Sequence, residues 1–191
     1  MRVVWGLGLA ALIATMPARA DIERKATINC ADGQATICLY VLPALPALPG
    51  WHRDEDLSFH YRAAVLVPDT AAPTALVGNA EPEDGYKTDH PSANALDGFI
   101  ADDLDTTRKH NPDATITATD PSPSADGRLL RTYLIRHNSN GHDQIVVYTE
   151  DGDKDGRFFC VLMLDTASGQ PIENQLPLLR SLVAKYKHFA P

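Results

Sequence analysis

The chain has 191 residues, 17 Lys plus Arg against 25 Asp plus Glu, and a formal net charge of -8. A surface this acidic repels phosphate backbones, which sets nucleic acid aside as a partner. The apolar share of 44% is enough for one core, and the length fits a single domain behind a leader.

Residues 1–20, MRVVWGLGLAALIATMPARA, read as a secretory signal peptide. Arg2 supplies the positive start, Val3 to Met16 form an apolar helix of about four turns, and Ala18-Arg19-Ala20 offers a small-x-small cleavage site. The apolar run is shorter than the roughly 20 residues a bilayer span needs. No cysteine follows the small residues directly, which argues against a lipoprotein. Removing the leader takes away Arg2 and Arg19, so Lys plus Arg falls from 17 to 15 against 25 acids and net charge moves from -8 to -10. The expected location is periplasmic or extracellular, with no transmembrane segment after cleavage and a monomer or weak oligomer as the working state.

Export implies an oxidising compartment, where Cys30, Cys38 and Cys160 allow one bridge in three ways. Cys30–Cys38 is the first choice because it closes a short local loop. A two-residue turn at Asp32-Gly33 would set Cys30 opposite Ala35, so the bridge requires a wider loop centred near Gln34. Cys160 lies within RFFCVLML and reads as a buried thiol.

ATINCADGQATICLYV predicts two short strands around a turn, giving a cysteine-containing hairpin with its connector over residues 21–48. In LPALPALPGW, Pro43, Pro46 and Pro49 recur every third residue, as in polyproline II, with Leu42, Leu45 and Leu48 on another edge. A proline-reading partner could dock there; a stiff connector whose leucines pack on the body is the simpler reading. The remaining residues, 49–191, form one domain. LSFHYRAAVLVP predicts a strand. Residues 69–91 carry three prolines and several acids and read as a long surface loop with at most a short strand at ALVGN.

Ser92 is placed to cap a helix running to about His110. Leu96, Phe99, Ile100 and Leu104 fall on one face, and Asn111-Pro112 ends it. Asp103 projects among those apolar residues, which makes it the one candidate for a functional buried carboxylate; the plain alternative is an acid at the margin of the face, reaching water or Thr107. ATITATD predicts a strand. RLLRTYLIRH and QIVVYTE follow as a hairpin through Asn140-Gly141. The expected register sets His137 opposite Gln144, so His137 and His142 are not a metal pair. RFFCVLML is apolar on both alternating sets and predicts a strand covered on both faces. NQLPLLRSLVAKYKHF closes the chain as an amphipathic helix, with Leu176, Leu179, Leu182, Val183 and Tyr186 inward.

YTEDGDKDGRFF carries the sharpest chemical signal. Asp151, Asp153, Asp155 and Gly156 match positions 1, 3, 5 and 6 of a calcium loop. Position 12 is Leu162, within an apolar strand, and the flanks are strand-like where helices are required. A turn between antiparallel strands is the preferred reading, and weak calcium binding by Asp151, Asp153 and Asp155 the alternative. No nucleophile elbow, zinc motif, C-x-x-C or phosphate loop occurs.

These elements predict an α+β fold: a single antiparallel sheet with helices packed on its faces, α/β/α sandwich-like, behind the cysteine hairpin. From LPGW through ALDGFIADDL to RFFCVLML and the closing helix, roughly residues 49–188, the order of elements resembles the PsbP-like superfamily. That resemblance implies an antiparallel sheet between helices and non-catalytic binding to a larger protein; no functional residue carries over. The expected function is an exported, non-enzymatic accessory protein of the cell envelope that binds another envelope protein. The alternatives are a small exported hydrolase with an unrecognised site and a calcium-binding module.

Overall fold

The structure is a computed structural model that describes residues 23–31, 34–43, 45, 47–70, 74–90, 94–119, 122–123, 129–136, 142–153, 156–167 and 175–179. Strands β1 (Glu23–Ala31) and β2 (Gln34–Leu42) form a two-stranded sheet. Ala31 pairs with Gln34, so the chain reverses over two residues, and Cys30 pairs with Ala35 while Cys38 pairs with Thr27. In this register the two cysteines are not cross-strand partners. Arg53 fastens the hairpin to the body with two hydrogen bonds to Glu23, at 2.7 and 2.9 Å.

The body is one antiparallel sheet. Its remaining strands are β3 (Trp51–Arg53), β4 (Ala64–Pro68), β5 (Thr74–Pro82), β6 (Thr115–Ala118), β8 (Leu129–Arg136), β9 (His142–Asp153) and β10 (Gly156–Ala167). Their spatial order is β3-β4-β5-β10-β9-β8-β6, and the two-residue β7 (Ser122–Pro123) pairs with β8 off that path. Helix α1 covers Glu55–Tyr61, seven residues, and α2 covers Ala95–His110, sixteen residues.

This architecture overturns the expected α/β/α sandwich. Most of the described chain is strand, and the helices are few and short: among described residues only α2 exceeds two turns. Two segments account for the difference. Residues 74–82, expected as loop with at most a short strand at ALVGN, form a nine-residue strand in the middle of the sheet, between β4 and β10. Residues 57–61, expected as the start of a strand, belong to α1 instead. Asp54 caps it by accepting a hydrogen bond from the Leu57 amide at 2.9 Å, and Glu55 and Asp56 favour the positive first turn. Arg62 ends α1 in the left-handed region at φ 51.

Alternation gives the sheet two faces. Face A carries Leu66, Leu76, Leu134, Ile145, Val147, Leu162 and Leu164 in one buried cluster. Among the described residues it is covered by Leu45 and Leu48 of the connector and by Leu176, Leu178 and Leu179. Leu42 and Leu48, expected to pack from the connector, are 1% and 6% exposed, and Leu179 is 3% exposed. Closure here depends on Gly78: a Cβ at that position would stand 2.9 Å from Pro43 Cγ and 3.1 Å from Leu45 Cδ2. Residues 182, 183 and 186 of the closing helix lie outside the described residues.

Face B carries Ile135, Val146 and Tyr148, against which α2 lays Ile100 and Leu104. The helix is capped by Asn94, whose side chain accepts from the Asp97 amide at 2.8 Å, two residues after the expected Ser92. In the β8–β9 ladder Ile135, and not His137, faces Gln144; His137 lies outside the described residues. Residues 83–90 are strapped to α2. Tyr86 donates to Asp102 at 2.7 Å, and His90 Nε2 sits 3.1 Å from Asp105. Arg157 holds the start of the strap through Glu83 at 3.1 Å and also pairs with Glu150 at 3.0 Å.

Candidate functional site

The strand RFFCVLML shows where the molecule opens. On face A, Phe158, Cys160, Leu162 and Leu164 are all at most 5% exposed, and on face B Phe159 is 0% exposed. Val161 and Met163, the next two residues of the face B set, are only half-buried. They form the floor of a cleft of about 860 Å³ that runs beside α2. The expectation of a strand covered on both sides therefore holds except at the cleft.

Each part of the cleft comes from an identifiable element. Met163 lies between Val77 and Val146, and Val161 lies between Asn79 and Tyr148, so β5, β10 and β9 supply a floor of adjacent side chains about 4.8 Å apart. Ile135 and Gln144, a cross-strand pair, extend it. Phe99, Asp103 and Thr107, each four residues from the next on α2, make one wall. Arg62, just after α1, and Glu81 on β5 belong to the lining and are exposed.

Tyr86 closes the cleft against an aromatic cluster. The rings of Phe99 and Phe159 stack at 4.7 Å, and Tyr86 meets each of them edge-on at 5.3 Å. Burial, reinforced by the hydrogen bond to Asp102, pushes the Tyr86 phenol far above its usual range. In return that hydrogen bond is the main reason the Asp102 carboxyl sits below the usual carboxylate range.

Asp103, the candidate carboxylate from the sequence, is in the cleft. The Tyr148 hydroxyl donates to its Oδ2 at 2.6 Å. Burial, followed by the adjacent Asp103 charge, raises the Tyr148 pKa well beyond the ordinary phenol value. The phenol therefore stays protonated as a donor at neutral pH. Among the described residues Asp103 has no cationic partner. A half-buried anion held by one neutral donor beside an apolar floor is built to meet a complementary charge.

The aspartate run falls elsewhere. Asp151 is 3% exposed, on the face A side, and its Oδ1 accepts from the Gly152 amide at 2.7 Å. Asp153 pairs with Gly156, leaving a two-residue connection, as a hairpin turn requires. Asp155 and the side chain of Asp153 lie outside the described residues, as do the side chains of Cys30 and Cys38. Among the described residues no group of three or more His, Cys, Asp or Glu is arranged to hold a metal ion. No described helix is long and apolar enough to cross a membrane.

Sequence reasoning found Asp103 but missed its partners. Tyr148, Val146 and Gln144 share one side of QIVVYTE, and that alternation was a usable signal for the floor. Asn79, Glu81 and Arg62 carried none, because β5 and α1 were read as other structure. No family model matches the chain, and no curated protein matches it.

Proposed function

We propose that the protein is an exported, non-enzymatic binding protein of the cell envelope that receives its ligand in the face B cleft. The observation that carries this is the open cleft with the half-buried apolar floor of Val161 and Met163, of a size that suits a small ligand. Nile red, a neutral apolar dye, tests the reading directly. It should saturate at one molecule per chain, and Val161→Trp, which fills the floor, should abolish the binding. Equal binding by the variant, or none by the parent chain, sinks it.

A protein partner, the expectation from the leader and from the PsbP-like order of elements, has a separate surface in its favour. Phe59 and Tyr61 on α1 are 63% and 62% exposed, a pair of aromatics suited to an interface. A photo-reactive residue at position 59 should cross-link one stoichiometric partner in the native envelope, and recovery of the monomer alone rejects that surface.

A further inference from the structure

The charges around the cleft allow the ligand class to be named, on the premise that the cleft is the binding site. We propose that the ligand is a small cationic amphiphile, an ammonium whose apolar body lies on Val161, Met163 and Val146 and whose head meets Asp103. The lining holds two carboxylates, Asp103 and Glu81, against one guanidinium, Arg62. Their positions decide the sign. Arg62 is exposed at the end of α1, where water screens it, whereas Asp103 is half-buried in the α2 wall.

The hydrogen-bond geometry supports the same sign. Tyr148 occupies Oδ2 of Asp103 at 2.6 Å, and the carboxylate has no counter-charge among the described residues. A carboxylate beside apolar side chains interacts with an incoming cation more strongly than it would in water, because the local dielectric is lower. An anionic head in the same place would meet the half-buried Asp103 carboxylate. A neutral head would leave the carboxylate uncompensated. The apolar floor adds binding that does not depend on the head, so a cationic amphiphile satisfies both halves of the cleft and a bare inorganic cation only one.

Displacement of Nile red by three eight-carbon competitors tests this: n-octylammonium, 1-octanol and octanoate at pH 7. Octylammonium should bind about tenfold tighter than octanol, with octanoate weakest, the size expected for one partly desolvated charge contact. Asp103→Asn, which retains an oxygen to accept from Tyr148, should erase the preference for octylammonium over octanol. Glu81→Gln, at an exposed position, should reduce the preference about twofold without affecting folding. Raising sodium chloride to 0.5 M should weaken octylammonium alone.

Equal affinity of the three compounds in the parent chain would overturn the ligand class while leaving the cleft as the binding site. So would a preference that survives in Asp103→Asn. Absence of Nile red binding would instead remove the premise, so the two failures are distinguishable.

Discussion

The two faces of the sheet are built from alternate residues of the same strands, and they meet solvent differently. On face A, Leu162 and Leu164 of β10 are buried in one cluster with Leu48 and Leu179, and Phe158 and Cys160 are buried beside Val41 and Ala80. On face B, α2 covers β8 and β9 and leaves Val161 and Met163 half open. Neighbouring residues with similar hydropathy therefore have different roles. One set contributes cohesion, and the other contributes a surface whose burial is incomplete until something occupies it.

Truncating adjacent residues should show the largest contrast. Leu162→Ala removes a 1% exposed side chain from the face A cluster and should cost about 3 kcal/mol in urea unfolding. Met163→Ala, one residue on, should cost under about 1 kcal/mol because its side chain already borders water. Equal losses would erase the distinction between the faces. Gly78→Ala comes next, at about 2 kcal/mol, because the new methyl would stand 2.9 Å from Pro43 Cγ and lift the connector off face A. A neutral result would mean that the connector yields without loss.

Tyr148→Phe sharpens the view of face B. It removes the 2.6 Å hydrogen bond to Asp103, and water entering the cleft offsets part of the loss, so about 1–2 kcal/mol is expected. The smallest effect concerns the strap. The Asp102 pKa is depressed chiefly by the Tyr86 hydrogen bond, so its contribution is full above the ordinary value near 3.8 and disappears as pH falls through the lower folded value. Amide protection of residues 86–90 should drop as the pH falls below about 3.8, and Tyr86→Phe should remove that step. Protection unchanged over this range would mean that His90 and the aromatic contacts hold the strap by themselves.

Much of this fold was legible from local pattern. The α2 periodicity, the RFFCVLML ribbon and the turn at Asp153–Gly156 depend on neighbours in sequence, and they appear where the pattern placed them. Residues 74–82 did not, because TALVGNAEP alternates poorly: Gly78 is required by a contact with Pro43, distant in sequence, and Asn79 by the open floor. The LSFHY segment misled for a related reason. Phe59 and Tyr61 are exposed, so hydropathy gave no helical stripe, and the signal lay in the Asp54 cap. Asp103 was visible as an acid on an apolar face. Its donor, Tyr148, lies 45 residues away, and only the crossing of α2 over β9 brings the two together.

Cys160 is 0% exposed, at the centre of the longest hairpin. A thiol enclosed in this way reacts with an aqueous alkylating agent only in molecules whose β9–β10 ladder has come apart. That enclosure also limits mispairing: the sulfur is available before the hairpin closes and withdrawn afterwards. Labelling at this single position would therefore act as a clock for rare opening of the whole sheet.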